Sequence, residues 1–253
     1  MIREVTSLLS GHLASGSLLV TSSLALANRL PLGFLRFCAV SIAGASLFAT
    51  VVGTDSARFA WLVAAVAALL WYAALRRERG AKGALVWLSA ACGLASPALF
   101  AVLTKGPNPW LSLAGSLSSA ILMGAVAVTM ILGHWYLVDT SLAITPLRDG
   151  ALWLWIGVLL RLTAVAAVLM LGGWQILRLN RFADIVFSTN GLFFFFRSLM
   201  GLAAPLLLAG LIWQTVKIRS TQSATGLLYV ALILVLFGEL VSQFLRVATG
   251  YPL

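Results

Sequence analysis

Ionisable side chains are costly in hydrocarbon, so residues of this kind that interrupt long apolar stretches are the first place to look for chemistry. Four do so here, His12, Arg161, Arg197 and Glu239, and His134 sits near the end of another stretch. Glu239 belongs to Gly238-Glu239-Leu240-Val241-Ser242-Gln243-Phe244-Leu245-Arg246. Glu239, Ser242, Gln243 and Arg246 recur at i, i+3, i+4 and i+7, so they share one helix face. That face allows two chemistries. Glu239 opposite Arg197 or Arg246 forms a salt bridge that fixes helix packing. Alternatively the face lines a polar pocket for a quinone or another amphiphile, with His12 as hydrogen-bond partner and Glu239 as proton carrier, since burial and nearby charge retune such groups.

A second polar group is Leu132-Gly133-His134-Trp135-Tyr136-Leu137-Val138-Asp139, followed by Pro146 and Arg148. His134 with Tyr136 and Asp139 can bind a headgroup or relay a proton. Equally, the amphipathic rings can serve as an interfacial anchor. Arg148, in the loop before the next span, and Arg161, near the middle of that span, are grouped with this level.

These residues must be carried by membrane helices. The chain has 253 residues, 61% hydrophobic and 9% charged. Its apolar runs are long enough to cross a hydrocarbon core of about 30 Å as helices. In lipid the backbone must satisfy its own hydrogen bonds, which leaves helices or a closed barrel, and continuous rather than alternating runs reject the barrel. The expected fold is an all-α polytopic bundle, one domain over 1–253, with eight spans near 6–27, 34–53, 57–75, 83–104, 114–138, 151–177, 191–215 and 224–248. The first span is retained rather than cleaved as a signal peptide, because Asn28-Arg29 follows it as an ordinary loop. Small and hydroxyl residues place spans one and two at the centre. The third, with Trp61, Val63, Leu69, Leu70 and Trp71, reads as lipid-facing. Pro97 and Pro205 should bend their helices. Trp110, Trp135, Trp153, Trp174 and Trp213 lie near span ends, as in an aromatic belt. Gly11-His12 and Gly133-His134 hint at a half-chain repeat, but His12 opens its helix and His134 closes one, so that register supports no duplication.

The net charge of +10 comes from basic residues flanking the spans, not from one patch. They read as topology and headgroup signals, and a nucleic-acid partner is rejected. Nine Lys and Arg residues fall in the loops after odd-numbered spans and five on the other side, with Arg76-Arg77-Glu78-Arg79 carrying most of the bias. This puts both termini outside an inner (plasma) membrane. On that topology His12 and Arg197 lie about 9 Å below the outer surface and Glu239 in the outer third, at one level. His134 lies at the inner edge, so the two histidines are mismatched as ligands of one haem. Cys38 and Cys92 form no metal or haem-attachment motif. Nucleotide-binding, zinc-protease and serine-hydrolase motifs do not occur, and the seven carboxylates are scattered.

The last span, through Gly238-Glu239-Leu240-Val241 with Phe244, Leu245 and Arg246, resembles the last helix of DmsC-type membrane anchors. These are eight-helix, haem-free, quinone-interacting subunits of molybdopterin oxidoreductases. The resemblance implies a non-catalytic subunit of an electron-transfer complex, with partner subunits, no redox cofactor of its own and quinone or quinol as ligand. It marks Glu239 and Arg246 as pocket residues, beside His12, Arg197 and Gln243 from the residue reading. A small-solute or proton-coupled transporter, with Glu239, Arg197 and Arg161 along a path, is the alternative. A structural subunit or assembly factor is the third reading.

Overall fold

The computed structural model describes residues 1–76, 83–104, 108–139, 141–173 and 189–253. Arg77, Glu78, Arg79, Lys82, Lys105, Trp174, Arg178 and Arg181, used above for topology or the belt, lie outside the described residues. Among the described residues the protein is all-α. The helices are α1 (Ile2–Ala27), α2 (Leu32–Val52), α3 (Asp55–Arg76), α4 (Ala84–Leu103), α5 (Pro109–Val138), α6 (Thr145–Val168), α7 (Thr189–Ser198), α8 (Ala204–Lys217) and α9 (Thr221–Thr249). A π-helical turn, Leu169–Gly173, continues α6, and another, Leu199–Ala203, joins α7 to α8. Eight of the resulting segments are long and apolar enough to cross a membrane, as an integral membrane protein requires.

Two helices, α5 and α6, begin about five and six residues earlier than the apolar runs suggest. Asn108 caps α5, its Oδ1 accepting from the Trp110 and Leu111 N–H groups at 3.0 and 3.3 Å, and Pro109 sets the first turn. Pro146 does the same for α6, so Arg148 lies inside that helix rather than in the loop before it. Pro205 lies in the first turn of α8, directly after the π-turn, where its missing N–H interrupts the regular ladder.

The helices pack as two rings of the same connectivity. In the first, α1 packs on α2, α2 on α3, α3 on α4 and α4 back on α1. In the second, α5 packs on α6, α6 on α8, α8 on α9 and α9 back on α5, with α7 against α9. The rings meet along α1 and α5. These two helices are the buried ones, at 78% and 83% of their apolar windows, against 39% for α2. Their approach depends on glycine: a Cβ at Gly16 would lie 1.7 Å from the Ala120 carbonyl oxygen, and one at Gly124 2.0 Å from the Gly16 carbonyl carbon. Small residues that let backbones touch replace the hydrophobic driving force that lipid removes. The two halves thus share a ring connectivity, with Gly16 and Gly124 each near the middle of its helix where α1 and α5 meet.

Two expectations are corrected. The α2 helix is peripheral: its Ser41 and Gly44 face outward, along with Phe37, Val40, Phe48 and Val51. The α3 helix turns Leu69 and Leu70 outward but buries Trp61 and Trp71 completely. Alanines at 60, 64, 65 and 68 make its inner face thin, and Gly11 of α1 leaves the room that the Trp61 ring fills.

Candidate functional site

The end of the bundle at which α1 begins and α9 finishes is termed the terminal face. Below it, the second ring buries a charge cluster. Glu239 on α9 is fully buried, and its Oε1 lies 2.9 Å from Arg161 Nε on α6 and 2.9 Å from Arg197 Nη2 on α7. Ser119 of α5 donates to its Oε2 at 2.5 Å. Gln243, one turn along α9, donates through Nε2 to that serine at 3.2 Å. Arg161 also donates to Ser242 Oγ at 2.5 Å, to the Gly115 carbonyl at 3.3 Å and to the Leu253 carbonyl at 3.2 Å. The last residues fold back into the ring: Leu253 is fully buried, Ser242 donates to its carbonyl, and Pro252 occupies the space a side chain at Gly115 would need.

Local sequence explains how Arg197 reaches inward. Gly201, in the π-turn, meets Gly238 so closely that a Cβ at Gly238 would lie 2.2 Å from the Gly201 Cα. The guanidinium threads past this crossing, its Nη1 only 2.2 Å from where a Gly201 Cβ would stand.

Arg161 is thus a partner of Glu239 and not of the His134 level, which corrects its assignment to the opposite edge. The reason is the early start of α6. Moving it from 151 to 145 carries Arg161 about 9 Å further along the axis at about 1.5 Å per residue. Arg246 is equally not a partner of Glu239. Its Nη1 donates to Ser116 at 2.9 Å, and its guanidinium lies 4.9 Å from the centre of the Phe100 ring. Two guanidiniums therefore share one carboxylate side chain in the buried region, while the third, Arg246, has no carboxylate within ion-pair distance among the described residues.

Arg246 faces a cavity of about 320 Å³ that opens at the terminal face. It lies on the seam between the two rings. Glu4, Ser7 and Leu8 come from α1, Ala57 from α3, Phe100 from α4, Ser112 from α5, and Arg246 and Val247 from α9, with Thr54, Thr104 and Gly250 at helix ends. Phe100 forms the inner wall, stacked on Trp61 with ring centres 5.2 Å apart. Behind them sits His12, fully buried, edge-on to Trp61 at 5.3 Å and to Phe100 at 5.8 Å. Neither of its ring nitrogens has a hydrogen-bond partner among the described residues.

The other sequence candidates do not converge. His134 is exposed and meets Tyr229 of α9, with Nδ1 3.1 Å from the phenol oxygen. Tyr136 is buried and donates to the Ala143 carbonyl, closing the α5–α6 loop. Asp139 accepts from Ser141 N–H at 3.1 Å and from its hydroxyl at 2.6 Å, and these bonds hold the carboxyl below the usual carboxylate range. Arg148 lies over the Trp213 ring. Each is engaged locally, as interfacial groups are.

Sequence reasoning missed Ser112, Ser116 and Ser119 of α5, which point toward the cavity and the cluster. Their spacing of four and three residues, a hydroxyl stripe on one helix face, is the signal that could have found them. It also missed Phe100, an ordinary core residue by type. Comparison with family models, with curated proteins and with solved structures finds no match for this chain.

Proposed function

We propose that the protein is an integral membrane subunit of an electron-transfer complex that binds quinone or quinol without a redox cofactor of its own, and that the seam cavity is the binding site. The observation that carries this reading is Arg246. A guanidinium 9% exposed, laid on an aromatic face, bonded to Ser116 through Nη1 and with no carboxylate within ion-pair distance among the described residues, keeps N–H groups to donate to a carbonyl or quinol oxygen, with Glu4 elsewhere on the cavity lining. The hydroxyls of Thr54 and Ser112 add donors and acceptors, and those of Ser7 and Thr104, which donate to the Ala49 and Phe100 carbonyls, add acceptors, while Phe100, Leu8 and Val247 offer a wall for a ring. Such amphipathic clefts between structural units are the common setting of small-molecule sites. The likeness of span eight to DmsC-type anchors points the same way, with partner subunits and a plasma membrane location, both termini outside.

The roles of the charged residues change from those first expected. Glu239, bonded by two arginines and a serine, is helix glue rather than a proton carrier, which favours a structural reading of that residue. Arg161 and Glu239, 1% and 0% exposed, give the transport path no support.

The test uses the full chain in nanodiscs with a photoreactive short-tail quinone. Saturable labelling of residues around Phe100 and Val247, competed by unlabelled quinone and reduced at least tenfold by Arg246→Met, is expected. Thr104→Trp, which crowds the exposed mouth without entering the core, should do the same in a protein of unchanged stability. Labelling that is unsaturable, or indifferent to both changes, overturns the assignment.

A further inference from the structure

At the face opposite the cavity, α6 begins, α8 ends and α9 begins. Three cations gather there from adjoining segments. Arg148 lies in the first turns of α6 and Lys217 in the last turn of α8, and both sit over one indole, that of Trp213, at 5.6 and 5.4 Å from the ring centre. Arg219, two residues beyond Lys217, adopts the left-handed conformation with φ 59° and lines a cavity of about 580 Å³. Thr145, one turn before Arg148, lines the same cavity, together with Tyr136, Ser141 and Thr221.

Among the described residues no carboxylate lies within ion-pair distance of Arg148, Lys217 or Arg219. Asp149, the neighbour of Arg148, accepts from the Asn28 amide at 2.8 Å, and Asp139 is held by Ser141. Two cations brought to one ring repel each other, and the modest ring attraction at an exposed site offsets only part of that cost. An anion bridging them removes the repulsion.

The geometry points to a binding site for the phosphate of an anionic phospholipid headgroup, held by Arg148 and Lys217 with Trp213 between them and its polar remainder in the cavity beside Arg219. A lipid rather than free phosphate is favoured by position. Trp213 is half-buried near the end of a membrane-crossing segment, next to exposed Leu211 and Ile218, where acyl chains run past it. Indoles and basic side chains at that depth are the ordinary contacts of headgroups. The site is independent of the seam cavity and at the other end of the bundle.

The test is native mass spectrometry of the full chain in mild detergent, titrated with short-chain phosphatidylglycerol, with phosphatidylcholine of the same chain length, and with inorganic phosphate. The expected result is a preference for phosphatidylglycerol that falls about fivefold for each of Arg148→Gln and Lys217→Gln, and falls also in Trp213→Leu but not in Trp110→Leu at the far face. All four residues are partly or fully exposed, so folding should survive, and an unchanged unfolding profile verifies it. Equal retention of the two lipids, a preference unmoved by the double replacement, or complete displacement of the lipid by millimolar phosphate each overturns the proposal.

Discussion

Arg161 Nε and Glu239 Oε1 lie 2.9 Å apart with 1% and 0% of their side chains exposed, on helices 78 residues apart in sequence. Arg197 completes the arrangement from a third helix. Buried ion pairs gain little net stability, because desolvation offsets most of the attraction. What they impose is a penalty on every packing in which a partner is missing. The cluster therefore fixes the rotation of α6, α7 and α9 about their axes.

That asymmetry gives the first prediction. Glu239→Gln leaves two buried guanidiniums without their counter-charge and should destabilise the bundle by about 3–5 kcal/mol. Adding Arg197→Met should recover part of the loss. Reversible unfolding in mixed micelles measures both, and a Glu239→Gln protein as stable as the original contradicts the clamp.

Glycines supply the second prediction, because their surroundings differ sharply. A side chain at Gly16 or Gly124 would enter the backbone of the facing helix, so Gly16→Val or Gly124→Val should separate the two rings and yield polydisperse protein. At Gly44 and Gly226 an added Cβ would meet nothing within 4 Å. Gly44→Ala and Gly226→Ala should be neutral or stabilising by up to about 1 kcal/mol, through helix propensity alone. Size-exclusion profiles and unfolding midpoints separate the two classes.

His12 behaves as a buried polar group without hydrogen-bond partners among the described residues, and such groups cost about 1–3 kcal/mol of desolvation. His12→Leu should hold stability or raise it. A large loss of stability would instead show that His12 is needed for packing against Trp61 and Phe100.

Asp139 supplies a pH dependence. Its hydrogen bonds from Ser141 depress its folded-state value, so their contribution is present above the ordinary carboxylate range and is lost as pH falls through the depressed value. Ser141→Ala should move the Asp139 titration upward toward ordinary behaviour. Carbon-detected NMR of the labelled carboxyl, followed from neutral pH into the acid range, measures the shift directly.

The sequence by itself determined that the chain is an all-α bundle with eight membrane-crossing segments, because the bilayer constraint is local: length and hydrocarbon content decide a span without reference to its neighbours. It also marked Glu239, Arg197 and the i, i+3, i+4, i+7 face of the last helix, since a charge in hydrocarbon stands out wherever it points. Partnership is another matter. Whether Arg161 meets Glu239 depends on where α6 starts and on its rotation, and six residues hidden before the apolar run shifted it about 9 Å. The burial of Trp61 and Trp71 depended on glycine and alanine in facing positions, which composition does not align. The seam cavity exists only because two four-helix rings meet along α1 and α5. Its walls come from α1, α3, α4, α5 and α9, and only tertiary packing brings residues so far apart in the chain to one level.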